Sequence, residues 1–316
     1  MPSSSIDHAI AEGPLTGAAG DPTYAGVTSF MRRKYCKDPA GADVAVLGIP
    51  FDAAVSNRPG ARFGPQAIRR ASAIMDNDPQ YPFATDLFAD LAVIDAGDVL
   101  LDYGNHGETP ARIKAAAHAV IEAGAFLLAL GGDHFVTWPL LKAHAAAHGP
   151  IALIQFDAHQ DTWPDDGNRI DHGSFVGRAV RDGVIDPERS IQIGIRTHAP
   201  ETCGIEIIDA HRLEDMRATE IAEAIYARVG GGKAYITFDI DCLDPAFAPG
   251  TGTPVAGGPS SAKMLGTLMH LKNLQLVGAD VVEVAPAYDH ADITAIAGAT
   301  VAMHYLGLLA ARKAAG

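Results

Sequence analysis

The sequence has little positive charge and very little cysteine. Its 316 residues include 24 Lys and Arg against 38 Asp and Glu, which gives a formal net charge of −14. Binding to nucleic acids or to anionic membranes depends on clustered Lys and Arg, so the composition argues against both kinds of partner. The three cysteines are too few and too widely spaced for a disulfide framework, which favours a reducing compartment: Cys36, Cys203 and Cys242.

The sequence also lacks the segments that direct a chain into or across a membrane. Its first 21 residues are rich in Ser, Gly and Ala and contain no basic start followed by an apolar run. We find no stretch that reaches the roughly 18 apolar residues that a membrane span needs. We therefore expect a soluble, cytoplasmic protein.

Short apolar runs alternate with helix-like stretches along most of the chain. The apolar runs predict eight strands, at 43–49, 91–95, 126–131, 151–157, 190–195, 205–209, 234–240 and 276–284. Helices are predicted at 65–73, 110–123, 135–148, 213–229, 260–273 and 290–313. This alternation predicts βαβ units and a mostly parallel sheet.

The same pattern predicts a simple domain organisation. Residues 1–40 show little periodicity and are predicted to form an arm with one short helix, followed by a single α/β domain over 41–316. About eight strands fit an open doubly wound sheet as well as a (β/α)₈ barrel. Both architectures place an active site at the carboxyl ends of the strands.

Three strand ends carry the polar residues expected of a metal site. Three of the predicted strands end in polar motifs, which are GGDH at 131–134, DAHQD at 157–161 and DID at 239–241. Alternate residues of an extended chain point to the same side, so the polar side chains of each run can converge. Together they offer two imidazoles and four carboxylates: His134, His159, Asp157, Asp161, Asp239 and Asp241.

Four carboxylates in a small volume repel one another, and bound cations would stabilise them. Six ligands, mostly oxygen, suit two metal ions that share carboxylates. This set favours Mn²⁺ over a structural Zn²⁺ site, which would be rich in Cys.

Each of these residues also has a purely structural interpretation. His134 could hold a backbone carbonyl in its loop, and a single Asp-x-Asp pair arises by chance in an acidic protein. Asp244, which precedes Pro245, is predicted to cap the following helix.

The motifs resemble those of a known family, the ureohydrolases, which are manganese enzymes that include arginase and agmatinase. The resemblance is carried by GGDH at 131–134, FDAHQD at 156–161 and TFDIDCLDPAFAPGTGTPVAGG at 237–258. It extends through GIPFD at 48–52, GARFGPQAIR at 60–69, DHGSF at 171–175, GIRT at 194–197 and DVVEVAPAYD at 280–289, and covers about residues 40–310. It implies an arginase-like, three-layer α/β/α fold with a mostly parallel sheet of about eight strands.

The resemblance also implies the composition of the site. One of two Mn²⁺ ions per subunit would be held by His134, Asp157, Asp161 and Asp239, and the other by Asp157, His159, Asp239 and Asp241. Asp157 and Asp239 would bridge the two ions. Glu283 would hold a guanidinium group through two N–H bonds, and His172 would carry a proton to the leaving amine. The structural alternatives are a salt bridge for Glu283 and a loop histidine for His172.

Within the family, the sequence is most similar to bacterial agmatinases, which implies hydrolysis of agmatine to putrescine and urea. The segment after GIRT lacks the acidic residues that arginases place there, which weakens arginine as the substrate. The acidic loop 162–171 could receive the distal ammonium of agmatine, although Asp165 and Asp166 lie in a sequence typical of a solvated turn. Arg169 could instead bind the carboxylate of a guanidino acid, the kind of substrate that a guanidinobutyrase hydrolyses.

Two other interpretations are weaker. A single-zinc deacetylase of the same fold would lack a complete second metal site, and a non-catalytic metal-binding relative would have lost ligands. The resemblance further implies a small cationic guanidino substrate as partner and a homo-oligomer, either a trimer or a hexamer.

Overall fold

A parallel sheet forms the centre of the molecule. The structure is a computed structural model that describes residues 22–75, 79–167 and 169–314. Within these residues, nine strands form the sheet: β1 (Lys34–Tyr35), β2 (Val44–Ile49), β3 (Val93–Asp98), β4 (Phe126–Gly131), β5 (Ala152–Phe156), β6 (Ile191–Ile195), β7 (Glu206–Asp209), β8 (Lys233–Asp239) and β9 (Gln275–Val282). Their order is β1-β3-β2-β4-β9-β8-β5-β6-β7. The sheet is therefore open rather than a closed barrel.

All eight predicted strands are confirmed, and β1 is an additional one. It contributes only Lys34 and Tyr35, which pair with Ile94 and Asp95 of β3. Two residues cannot show an apolar period, so the sequence pattern does not reveal this strand.

Part of the predicted arm packs against the domain. Phe30 and Met31, in a short 3₁₀ turn, are fully buried. Residues 1–21 lie outside the described residues, and the division of the chain at residue 40 stays a prediction.

Helices lie on both faces of the sheet. The described residues contain α1 (Gly64–Ser72), α2 (Leu87–Asp90), α3 (Thr109–Glu122), α4 (Thr137–His148), α5 (Phe175–Arg181), α6 (Ala210–Asp215), α7 (Ala218–Val229), α8 (Ser261–Met269) and α9 (Ile293–Ala314). Pro65 and Pro110 stand in the first turns of α1 and α3, as predicted from the tolerance of proline at that position. The short helices α2 and α5 were not predicted.

The predicted helix over 213–229 is two helices. Met216 and Arg217 adopt extended backbone between α6 and α7. The Glu220 side chain accepts a hydrogen bond from the Arg217 backbone N–H at 2.8 Å, which starts a new helix there. The apolar period continues across this break, so periodicity alone does not show it.

Two apolar cores flank the sheet because side chains alternate along the buried strands. In β4, Leu128 and Leu130 belong to a core that contains residues of α1, α7, α8 and α9. Leu127 and Ala129 face a second core, with residues of α3, α4 and α5. The predicted three-layer α/β/α architecture is confirmed.

The helix α9 corrects one expectation. Among the described helices, only α9 is long and apolar enough to cross a membrane, with 22 residues. The expectation that no stretch reaches this length is wrong because Ala, Gly and Thr are spread between the larger apolar residues. In the protein, 72% of its most apolar window is buried, and α9 packs against α1, α8 and β9. It is a core helix of this fold.

Four neighbouring strands at the centre of the sheet position the polar motifs. In the order β4-β9-β8-β5 they are all parallel, so their carboxyl ends share one edge. His134 follows β4, Asp157 follows β5, Asp239 ends β8 and Glu283 follows β9. Residues far apart in the chain therefore meet at one place.

Candidate metal centre

The first group of side chains surrounds one ring nitrogen of His134. Its Nδ1 lies 3.0 Å from Asp157 Oδ2, 3.1 Å from Asp239 Oδ2 and 3.2 Å from Asp161 Oδ2. All four side chains are at most 8% exposed. The structure thus brings together the residues that the sequence predicted for one metal site.

A second group shares Asp157 with the first. His159 Nδ1 lies 3.1 Å from Asp241 Oδ2 and 3.5 Å from Asp157 Oδ1. Asp157 therefore presents one oxygen to each imidazole. Asp239, predicted as a second bridging residue, stands with the first group, and its Oδ1 accepts the Asp241 backbone N–H at 2.8 Å.

Tight turns, rather than extended strands, bring these side chains together. The strand β5 already ends at Phe156, and Asp157 Oδ1 accepts a hydrogen bond from the His159 backbone N–H at 2.6 Å. Asp161 follows with a positive φ of 52°. The predicted convergence holds, but its cause is a side chain that folds back on its own backbone.

The electrostatics of the cluster favour added positive charge. Burial would lower the pKa of the His159 imidazole, but Asp241 and Asp157 outweigh burial and raise that pKa to about 12. Burial and the charge of Asp157 raise the pKa of the Asp161 carboxyl to about 7. The raised pKa values mean that His159 and Asp161 hold their protons more tightly than usual. This is expected where positive charge is needed to offset several carboxylates.

The donor set also fits divalent metal ions by geometry. His134 Nδ1 is buried, and although three carboxylates surround it, none of the described residues forms a hydrogen bond of acceptable geometry with it. Ligands held at about 2.1 Å around an octahedral ion lie about 3 Å apart, which is the spacing around Nδ1. Two imidazoles and four carboxylates, with no cysteine, suit a metal such as Mn²⁺.

A buried network behind the cluster fixes the orientation of His134. Its Nε2 lies 2.8 Å from the Thr237 hydroxyl, which donates to Asp280 Oδ1 at 2.6 Å. Asp280 Oδ2 accepts further O–H bonds from Thr137 and Tyr235, each at 2.9 Å. Because the Thr237 proton points to Asp280, its oxygen accepts the Nε2 proton, which leaves Nδ1 free for a metal.

We did not predict this network from the sequence, although two residues could have indicated it. Thr237 and Asp280 are polar residues inside apolar strand runs, and both are fully buried. Their contact depends on β8 and β9 being neighbours, in which Thr237 pairs with Asp280. Strand order was not predictable from spacing.

Replacing Thr237 with Val is expected to weaken metal binding about 10- to 100-fold, because the hydroxyl that orients His134 is lost. Titration with Mn²⁺ by isothermal calorimetry measures the effect. Thr237→Ser, which keeps the hydroxyl, should bind within a few-fold of the wild type. A Val variant that binds as tightly as the wild type would show that the network does not support the metal site.

Glu283 stands beside the cluster with one carboxylate oxygen unused. It is fully buried, and its backbone has a positive φ of 64°. Its Oε1 accepts the His134 backbone N–H at 2.9 Å, whereas Oε2 has no hydrogen-bond partner among the described residues. A strained backbone and a buried oxygen without a hydrogen-bond partner both lower the stability of the fold. Features that cost stability in this way are typical of binding sites.

His172 contacts the same carboxylate. Its Nδ1 lies 3.1 Å from Glu283 Oε1. Burial would lower the pKa of His172, but Glu283 raises it to about 9. His172 lines a cavity of about 400 Å³ together with other residues of the site, among them Ser56, His159, Asp161, Arg169 and Asp239.

The loop over 162–171 differs from its prediction. The Asp165 side chain is 1% exposed and pairs with Arg178 at 3.1 Å and Arg181 at 3.0 Å. The expected turn is present, since Asp165 Oδ1 accepts the Gly167 backbone N–H, but the expected solvation of the side chain is wrong. Its two cationic partners also make it unsuitable as a receptor for the ammonium of agmatine. Both arginines come from α5, which the sequence pattern did not reveal.

Asp244 has a structural role, but not the predicted one. Its Oδ2 accepts the backbone N–H groups of Gly257 and Gly258, and its Oδ1 accepts that of Ala246. It therefore ties two parts of a loop together rather than capping a helix.

Known proteins resemble this chain over most of its length. The sequence profile of the Arginase family matches residues 42–307. An agmatinase from Chromobacterium violaceum is 48% identical over 312 residues, which cover 98% of this chain and 97% of that protein. The crystal structure of a hypothetical agmatinase from Burkholderia thailandensis is 50% identical, with a TM-score of 0.95 over 98% of this chain and 99% of the other.

A protein with a different name is also similar. The structure of proclavaminate amidino hydrolase from Streptomyces clavuligerus is 37% identical, with a TM-score of 0.88 over 92% of this chain and all of the other. The match to the family profile extends over most of the chain, and the residues that resemble the family's motifs meet at one edge of the sheet. This chain belongs to the Arginase family of metal-dependent hydrolases.

Proposed function

We propose that this protein hydrolyses agmatine to putrescine and urea with two Mn²⁺ ions. The observation that carries the proposal is Glu283, whose buried Oε2 faces no partner among the described residues, next to the His–Asp cluster. A free buried carboxylate oxygen is suited to a planar cation such as guanidinium. The relatives named agmatinase, at 45–48% identity, support this choice within the family.

The metal assignment follows the two groups of side chains. One ion would be held by His134, Asp157, Asp161 and Asp239, and the other by Asp157, His159, Asp239 and Asp241. The contacts that Asp157 makes with both imidazoles support its bridging role. When bound, such metal ions would supply a hydroxide nucleophile near neutral pH, because divalent ions lower the pKa of bound water.

Glu283 would hold the guanidinium in position for attack. Its Oε1 already faces the His134 N–H and the His172 ring, so the substrate would bind chiefly through Oε2. The sequence-based prediction was different, with two guanidinium N–H bonds shared between both oxygens of Glu283. His172, on the same carboxylate, would supply the proton without which the amine does not leave.

A guanidino acid such as 4-guanidinobutyrate is the second candidate substrate. Arg169 lines the cavity, is 68% exposed and lies 3.4 Å from Asp171. A long, exposed ion pair is weak, so a carboxylate tail could recruit Arg169 and an ammonium tail could recruit Asp171.

The deciding experiment measures urea release from the Mn²⁺-loaded protein with agmatine, arginine, 4-guanidinobutyrate and 3-guanidinopropionate. We expect agmatine to give the highest kcat/KM. Urea from a guanidino acid but not from agmatine would overturn the substrate assignment, and no urea from any of the four would overturn the proposed function.

Two broader expectations belong to the same proposal. A cytoplasmic location is supported by the three cysteines, all of which are free thiols. A homo-oligomer, trimeric or hexameric, rests on the resemblance to the family, and light scattering with size-exclusion chromatography measures it.

A further inference from the structure

Both ring nitrogens of His172 are engaged. Nδ1 lies 3.1 Å from Glu283 Oε1, and Nε2 lies 2.8 Å from the hydroxyl oxygen of Ser56 and 3.3 Å from its backbone nitrogen. The ring is therefore held between Ser56 and Glu283. Neither nitrogen presents an uncommitted N–H to the cavity.

Ser56 can bond the ring in either protonation state, because a hydroxyl both donates and accepts. When His172 is neutral, with its proton on Nδ1 towards Glu283, Nε2 accepts from the Ser56 O–H and N–H. When His172 is charged, Nε2–H donates to the Ser56 oxygen. The hydroxyl thus stays in contact while a proton is gained or lost.

Ser56 also has the access that His172 lacks. The His172 side chain is 12% exposed, whereas Ser56 is an exposed residue. Both line the cavity that contains Asp161 and Asp239. A proton that leaves Nε2 meets the Ser56 oxygen first.

We propose that Ser56 relays the proton from His172 to the amine that leaves the substrate, an inference that rests on the proposed function. The Nε2–H bond of His172 breaks as a new O–H bond forms on Ser56, and the original hydroxyl proton passes to the amine nitrogen. That nitrogen departs with the electron pair of its broken C–N bond, while a lone pair of the added hydroxyl oxygen forms the C=O of urea and the proton of that hydroxyl passes to solvent. His172 is left neutral and regains its proton from solvent by way of the exposed Ser56 hydroxyl.

The test compares Ser56→Thr with Ser56→Val, since Thr and Val have the same shape and only Thr keeps a hydroxyl. Val is expected to lower kcat about 100-fold, within the range for a lost proton-transfer path, with KM for agmatine within about threefold of the wild type. Thr should restore most of kcat. Equal rates for the two variants would overturn the relay.

A second measurement does not depend on turnover. Deuterium exchange at Cε1 of His172, followed by mass spectrometry at fixed pH, responds to the bonding of the imidazole. The rate should differ between Ser56→Val and the wild type and be close to wild type in Ser56→Thr. An unchanged rate in Ser56→Val would overturn the Ser56–His172 bond, even if the wild type released no urea and the proposed function itself had failed.

Discussion

Replacing Asp157 with Asn is expected to remove bound Mn²⁺ and to lower urea formation at least about a thousandfold. Asp157 is fully buried and, among the described residues, is the one carboxylate that faces both imidazoles of the cluster. The amide keeps the shape but loses the charge that both metal groups share. Metal catalysis supplies several kcal/mol of transition-state stabilisation, and about 4 kcal/mol corresponds to three powers of ten in rate.

Metal content after dialysis and urea release, measured on the same sample, check this result. Asp182→Asn is the matched control, because Asp182 bonds Trp138 and Lys142 at the surface, away from the cluster. The control should retain its metal and its activity. Full activity in Asp157→Asn would refute the bridging role.

Glu283→Gln is expected to lower kcat/KM for agmatine about 30- to 1000-fold while the metal content stays unchanged. The Gln side chain fills the same space but has no charge to attract a guanidinium. Losing one partner of a buried, hydrogen-bonded charge pair costs about 2–4 kcal/mol, which corresponds to that range of rates.

Comparison with Glu206→Gln separates this effect from a general loss of charge, because Glu206 lies at the edge of the sheet, 3.9 Å from Arg228. We expect that control to behave as the wild type does. If Glu283→Gln lost its metal, the residue would act on the metal site rather than on the substrate. If kcat/KM were unchanged, its proposed role would be wrong.

Much of the architecture is readable from the sequence because buried parallel strands are short, apolar and β-branched. The convergence of His134 with Asp157, Asp161 and Asp239 is also readable, since parallel strands end at a common edge, whereas their assignment to one ion rests on the resemblance to the family. Their role as ligands remains a prediction. Local spacing was informative here because each motif follows its own strand directly.

What could not be predicted depends on contacts between distant segments. Asp165 was expected to be solvated because its partners, Arg178 and Arg181, lie on a helix of only seven residues. The bond between Thr237 and Asp280 depends on strand order, and the bond between Ser56 and His172 joins two loops 116 residues apart in the chain. The sequence pattern within one segment carries no information about which distant residues that segment will contact.

The order of the central strands has a consequence for how the chain reaches its native state. The strands β4 and β5 are consecutive in the chain, yet β8 and β9 lie between them. When synthesis has passed residue 161, half of the sheet centre is still missing, and with it Asp239, Asp241 and Glu283. The His–Asp cluster therefore closes only after these late strands insert between β4 and β5. This step is expected to be slow, because it brings together segments that are far apart in the chain. Metal bound there would therefore mark a chain whose sheet is complete.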